Sequence, residues 1–211
     1  AILYVLRLWL GDSVSMNEGV LKRVDLCLPE SLISPVFYRD PKRCPAVVGG
    51  NVEISQRIVD ALMQALELQA GSQATMNNLI FGDEKKSYYE TICGGSGAGP
   101  EYNGSDAIHT HMTNTAITDL EILEERYPVV LEKFEIREAS GGRGRYVGGN
   151  GIRRTIRFLK PMTVSLLALS RLQGGRGLKG GETGEAGRQF MIRSGVYKKL
   201  DGLFIAESIG S

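Results

Sequence analysis

Two glycine-dense stretches, "SGGRGRYVGGNG" (140–151) and "QGGRGLKGGETGEAG" (173–187), limit what the second half of this chain can build. Glycine inside a helix or strand costs roughly 0.5–1 kcal/mol relative to alanine. Such stretches therefore break regular elements and do not extend them. The segments they separate carry the β-branched and aromatic residues of strands: "SYYETIC" (87–93), "VVLEKFEIR" (129–137), "IRRTIRFL" (152–159) and "MTVSLLAL" (162–169). Glycines 141, 142, 144, 148, 149 and 151 imply tight turns or close backbone approach. The clusters are not evenly spaced, so no fixed-period repeat is present.

The first half has a different texture. In "NVEISQRIVDALMQALEL" (51–68), Ile58, Val59, Leu62 and Leu66 recur at three and four residues and predict a helix with one apolar stripe. Asn51 is positioned to cap it, and Glu53 lies in the first turn, where the helix dipole favours an acid. Residues 2–10 read as the tail of a helix or a buried segment, and "GDSVSMNEG" (11–19) as a turn. Residues 20–28, with Val20, Val24, Leu26 and Leu28 at period two, predict a strand, followed by a proline-bearing connection over 29–50. Residues 119–126 predict a short helix closed by Tyr127-Pro128. The expected class is α+β, a helical N-terminal part packed on a largely antiparallel β region rich in glycine turns. Ala1 already lies inside an apolar pattern and "GLFIAESIGS" shows no stop, so residues 1–211 are expected to be a single fragment of a larger domain.

Bulk chemistry excludes several functions. With 42% hydrophobic and 23% charged residues, a packed core is available. A net charge of +1 gives no case for nucleic acid or acidic lipid. The apolar opening is too short to span a bilayer and contains Arg7, so no membrane role is expected. Cys27, Cys44 and Cys93 form no CxxC pair, which suggests reduced thiols and a cytoplasmic setting. No GxxxxGK[ST], no GxGxxG opening a helix and no GxSxG elbow occurs.

Four polar clusters remain. "GSQATMNN" (71–78) offers uncharged donors and acceptors for a polar ligand, or a loop that satisfies its own backbone. "YYETICGGSGAGP" (88–100) runs a strand into Gly94 and Gly95, whose bare backbone N–H groups suit an oxyanion, or simply a tight turn. Cys93 beside them is either a nucleophile or a bystander. "HTHMTNT" (109–115) holds both histidines of the chain. If extended, it puts His109 and His111 on one face, open to metal binding, proton transfer or plain packing. "EASGGRGRYVGGNGIRR" (138–154) presents Arg143 and Arg145 to an anion or to solvent.

Taken in order, "GGNVEISQRIVDAL", "GSQATMNNLIFG", "YYETICGGSGAGP", "HTHMTNTAITDLEILEERYPV", "SGGRGRYVGGNGIRR" and "GLKGGETGEAGRQFMIR" resemble the hydantoinase B/5-oxoprolinase family over residues 14–194. The match is to the C-terminal portion of the B-type half or subunit. The resemblance implies an ATP-dependent cyclic amidase acting on 5-oxoproline or a hydantoin, or else a carboxylase of the acetone or acetophenone type. A third reading is a non-catalytic scaffold that docks the ATP-binding partner. ATP and Mg are expected in that A-type half or subunit, with no cofactor and no metal in this segment, and an oligomer is the expected assembly. The implied chemistry is activation of the ring amide oxygen, then attack of water on the ring carbon. On that basis His109 and His111 are the expected proton-transfer residues. Ser72, Gln73, Asn77, Asn78, Glu90, Gly94, Gly95 and Asn114 are the expected substrate contacts.

Overall fold

The computed structural model of the chain describes residues 1–11, 14–15, 17–45, 50–200 and 203–209, with the backbone alone at residue 52 and over 203–209. Residues 12, 13 and 16 of the expected 11–19 turn, and residues 46–49 of the expected connection, lie outside the described residues.

The main sheet comprises β1 (Asn78–Gly82), β2 (Ser87–Thr91), β5 (Met162–Leu167) and β8 (Leu203–Ile209). Their order is β2-β1-β5-β8, antiparallel at every pairing. Two further antiparallel pairs flank it: β3 (Val129–Ile136) with β4 (Ile152–Phe158), and β6 (Gln189–Arg193) with β7 (Val196–Leu200). A bulge interrupts β3 between Leu131 and Lys133. There Leu131 N donates to Glu124 Oε1 at 2.7 Å.

Alternation along β1 turns Leu79 and Phe81 into one core with Tyr88, Val129, Met162 and Val164. Phe81 is 1% exposed and meets Tyr88, Phe158 and Tyr127 at ring-centroid distances of 4.7, 5.2 and 5.7 Å. Leu123 closes this core from α4 (Leu120–Arg126). Asp119 caps α4 by accepting from Glu121 N and Ile122 N at 2.9 and 3.3 Å. The helix stops before Tyr127-Pro128, as the sequence implies.

A second core joins α1 (Ile2–Leu10) to α3 (Gln56–Ala65) through Val5, Val59 and Met63, with Met112 from the histidine segment packed against it. The arrangement is α+β with antiparallel sheets. The expected helix over 51–68 splits in two. A π turn over Gly50–Ser55 precedes α3, and Asn51 sits inside that turn, where its carbonyl accepts from Ser55 Oγ and not as the helix cap. The expected strand over 20–28 does not form. A short α2 (Glu18–Leu21), capped by Asn17, occupies its start. Residues 24–29 carry no regular structure, and Leu26 and Leu28 are exposed. A period-two pattern becomes a strand only where a neighbour pairs its backbone, and no strand among the described residues pairs with this segment.

The glycines mainly permit close approach, not turns. Of the described glycines only Gly11, Gly180 and Gly195 have positive φ. Elsewhere, segments without regular strand lie backbone against backbone. Ser96 N donates to Ser105 O at 3.0 Å, Gly149 N to Ser96 O at 2.9 Å, and Gly104 N to Val147 O at 2.8 Å. A Cβ on Gly95 would stand 2.0 Å from Gly149 O, and one on Gly149 2.0 Å from Ser105 O.

Candidate functional site

A concavity of about 2070 Å³ opens where the 72–77 loop, the glycine layer and strands β4 and β5 meet. Five of the sequence-predicted residues reach its wall: Ser72, Gln73, Asn77, Gly94 and Gly95. Their polar groups are held tightly. Asn77, at φ 52°, donates through Nδ2 to Gln73 Oε1 at 2.6 Å and accepts at Oδ1 from Arg171 Nη2 at 2.9 Å. Gln73 Nε2 donates to Thr75 O at 2.9 Å, and its backbone carbonyl accepts from Ser170 Oγ at 2.6 Å. Ser72 donates through N and Oγ to Asp60 Oδ1, at 2.8 and 3.2 Å. The loop is thus a fixed, hydrogen-bonded rim whose side chains are oriented before any ligand arrives.

Arg171 is central to this rim and was not found by sequence reasoning. Besides Asn77 it donates to Gln189 Oε1 and to Leu169 O. Burial lowers its pKa, with the carboxylate of Glu53 opposing. Glu53 in turn accepts from Thr75 Oγ1 at 2.7 Å, and burial raises its pKa. The only hint in the sequence was an arginine close to a glycine run, a pattern shared by several exposed arginines. Arg143 and Arg145 are both exposed.

Asn78 and Glu90 lie behind the wall, in the sheet. Asn78 Oδ1 accepts from Thr91 Oγ1 at 3.3 Å. Glu90 Oε2 stands 2.9 Å from Arg154 Nε in an ion pair whose side chains are each 2% exposed. Tyr88 Oη donates to the other carboxylate oxygen at 2.8 Å. Burial raises the Glu90 pKa while Arg154 opposes it, and the Tyr88 phenol is pushed up to about 12, first by burial. Arg154 of this pair lines the cavity, whereas Glu90 does not. Burial also pushes the Cys93 thiol pKa up, so the thiol stays protonated beside the glycines and is poorly suited to act as a nucleophile.

The two histidines do not share a strand face. His109 follows Ile108, whose N donates to Gly94 O at 2.8 Å, so it sits directly beyond the glycine wall. Both of its ring nitrogens are buried without a hydrogen-bond partner, and burial lowers its pKa. His111 is in a turn at φ 54°, with Tyr4 of α1 edge-on at 6.2 Å. Burial lowers its pKa and the charge of Asp60 raises it. Asn114 is exposed, and no hydrogen bond ties it to this cluster. No group of three or more His, Cys, Asp or Glu side chains with metal-holding geometry occurs among the described residues. Nor is any helix among them long and apolar enough to cross a membrane.

The ordered motifs and the fold agree with known proteins. The profile of the Hydantoinase B/oxoprolinase family matches residues 1–206. The chain belongs to the hydantoinase B/oxoprolinase family. Within it, 5-oxoprolinase of Dictyostelium discoideum is 46% identical over 195 residues, which are 92% of this chain and 15% of that protein. 5-oxoprolinase 1 of Arabidopsis thaliana is 45% identical over 192 residues, 91% of this chain and 15% of that one. The chain therefore spans about 15% of the length of these oxoprolinase relatives. Its fold resembles the crystal structure of the ATP-dependent caprolactamase from Pseudomonas jessenii, with a TM-score of 0.56 at 21% identity, covering 74% of this chain and 31% of that chain.

Proposed function

We propose that this chain is the B-type part of an ATP-dependent cyclic amidase that opens the ring amide of 5-oxoproline or a hydantoin. The observation that carries this is the convergence of the 72–77 rim and the bare backbone at Gly94 and Gly95 on one cavity wall. The 5-oxoprolinase relatives agree with it. A lactam presents one N–H and one C=O. Gln73 and Asn77 supply amide groups to orient it, and backbone N–H groups beside Gly94 and Gly95 suit the oxygen on which negative charge develops. Hydrolysis forms a bond from water oxygen to the ring carbon, breaks the carbon–nitrogen bond, and delivers a proton to the departing nitrogen. We assign that proton transfer to His109 or His111, which lie beyond the glycine wall and do not line the cavity; burial lowers the pKa of both, which favours the neutral imidazole a base needs. Asn78 and Glu90 support the wall from behind, and Asn114 reaches substrate only from its exposed position.

ATP binding falls to an A-type half or subunit. The glycine runs here open no helix and carry no phosphate-binding lysine motif, so they do not fit a nucleotide site. ATP, with Mg, would supply activation of the amide in that partner, and the phosphoryl group carried on the amide oxygen would leave to a second water as inorganic phosphate. Replacing His109 and His111 together with Ala in the intact assembly should abolish ring opening while partial ATP turnover continues. Full product formation in the double variant overturns the assignment. ATP turnover that requires bicarbonate points instead to a carboxylase.

A further inference from the structure

The buried stripe of α3 is Gln56, Val59 and Met63, so one amide side chain stands where an apolar residue is the ordinary choice. Gln56 is 2% exposed. Its Nε2 donates to Thr110 O at 3.0 Å and to Thr113 Oγ1, and its Oε1 accepts from Met112 N at 3.2 Å. These bonds grip the backbone immediately before and immediately after His111. They close around a turn in which Thr113 N donates to Thr110 O at 3.1 Å. His111 at φ 54° is in the left-handed region, which a residue with a side chain keeps only where its surroundings over-determine it. Four residues along the same helix face, Asp60 accepts from Ser72 N and Ser72 Oγ at 2.8 and 3.2 Å and from Gln64 Nε2 at 2.6 Å. Its charge also acts on His111.

We propose that α3 is the positioning helix of the site: Gln56 holds the His109–His111 turn by its backbone, and Asp60, one helical turn on, fixes the Ser72 end of the cavity rim. Two polar clusters far apart in sequence are thereby set in one geometry by two side chains one helical turn apart. Neither Gln56 nor Asp60 needs to touch substrate. The inference rests on the reading that a histidine of this turn moves a proton.

The test uses the intact enzyme with Gln56→Met, which keeps side-chain length but removes both the donor and the acceptor, and with Asp60→Asn, which keeps an acceptor for Ser72 but removes the charge. Gln56→Met should raise amide hydrogen exchange in the peptide covering 108–115 and leave β1 and β5 unchanged. Its kcat should fall on the order of 10²-fold with KM nearly constant, as displaced catalytic groups do. Asp60→Asn should leave exchange over 108–115 unchanged. It should move the acid limb of the pH–rate profile to lower pH, because the imidazolium of His111 loses its nearby carboxylate. If Gln56→Met fails to fold, Asp60→Asn carries the test alone. Unchanged kcat and an unchanged acid limb, in an enzyme that His111→Gln inactivates, overturn the positioning role and leave the functional reading intact. Full activity in both His109→Gln and His111→Gln overturns the functional reading instead. In that case the exchange of peptide 108–115 in Gln56→Met still decides whether Gln56 holds the turn.

Discussion

The aromatic core under β1 and the glycine layer beside the cavity are both tightly packed, by opposite means. Around Phe81, side chains fill the space: Tyr88, Tyr127 and Phe158 rings stand 4.7 to 5.7 Å away. Where Gly95 and Gly149 meet the carbonyls of Gly149 and Ser105, the absence of a glycine side chain is what brings backbones together. A side-chain core tolerates volume changes in proportion to the atoms lost, because its neighbours relax in part. A backbone layer has no such slack, since the first added carbon meets a carbonyl fixed by its own hydrogen bonds.

This contrast is sharpest when one atom is added to the layer and many are removed from the core. Gly149→Ala places a Cβ 2.0 Å from Ser105 O and should prevent the cavity wall from forming, read as loss of cooperative unfolding and of activity. Gly180→Ala, at φ 86° with nothing within 4 Å of its Cβ, should cost only about 1 kcal/mol. Similar losses for the two glycines would end the distinction. In the core, Glu90→Gln should cost about 3–5 kcal/mol, because it strands the buried Arg154 charge. The double variant Glu90→Leu with Arg154→Leu should recover most of that loss, and a denaturation series on all three proteins measures the coupling. Phe81→Ala should cost about 3–5 kcal/mol yet keep a two-state transition, since it opens a cavity and creates no clash.

The smallest expected effect concerns pH. Burial lowers the pKa of both His109 and His111 from 6.5, so in the window just below 6.5 the unfolded chain binds more protons than the folded one. Stability should therefore fall as pH drops through that window, by at most about 1.4 kcal/mol per histidine for each pH unit. Urea midpoints on either side of the window should differ less in the variant with both histidines replaced by Gln. An unchanged difference would show that other groups carry the slope.

Much of the fold was legible before the structure. The α3 stripe, β2 to β5 except for the register of their pairing, and the stop of α4 at Tyr127-Pro128 all follow from periodicity, propensity and proline chemistry. Strand β1 was not legible. "LIF" is too short to separate strand from helix by period, and Asn77 and Asn78 before it read as loop. The strand expected at 20–28 had the right alternation and no partner. In the site, the polar rim and the bare glycines stood out by residue type. Arg171 and Gln56 did not, because an arginine and a glutamine acquire their roles only from what lies across from them.

The sequence by itself determined residue chemistry and local geometry: where helices can run, where strands have the right side chains, and where the backbone is left bare. Tertiary structure decided that the bare backbone is used for contact and not for turning. It also placed Glu90 against Arg154, and it let a helix amide grip both sides of His111. The physical reason is separation along the chain. Gln56 and Thr110 are 54 residues apart, as Asn77 and Arg171 are 94 apart, and no local preference encodes a hydrogen bond whose donor and acceptor meet only after the cores have closed.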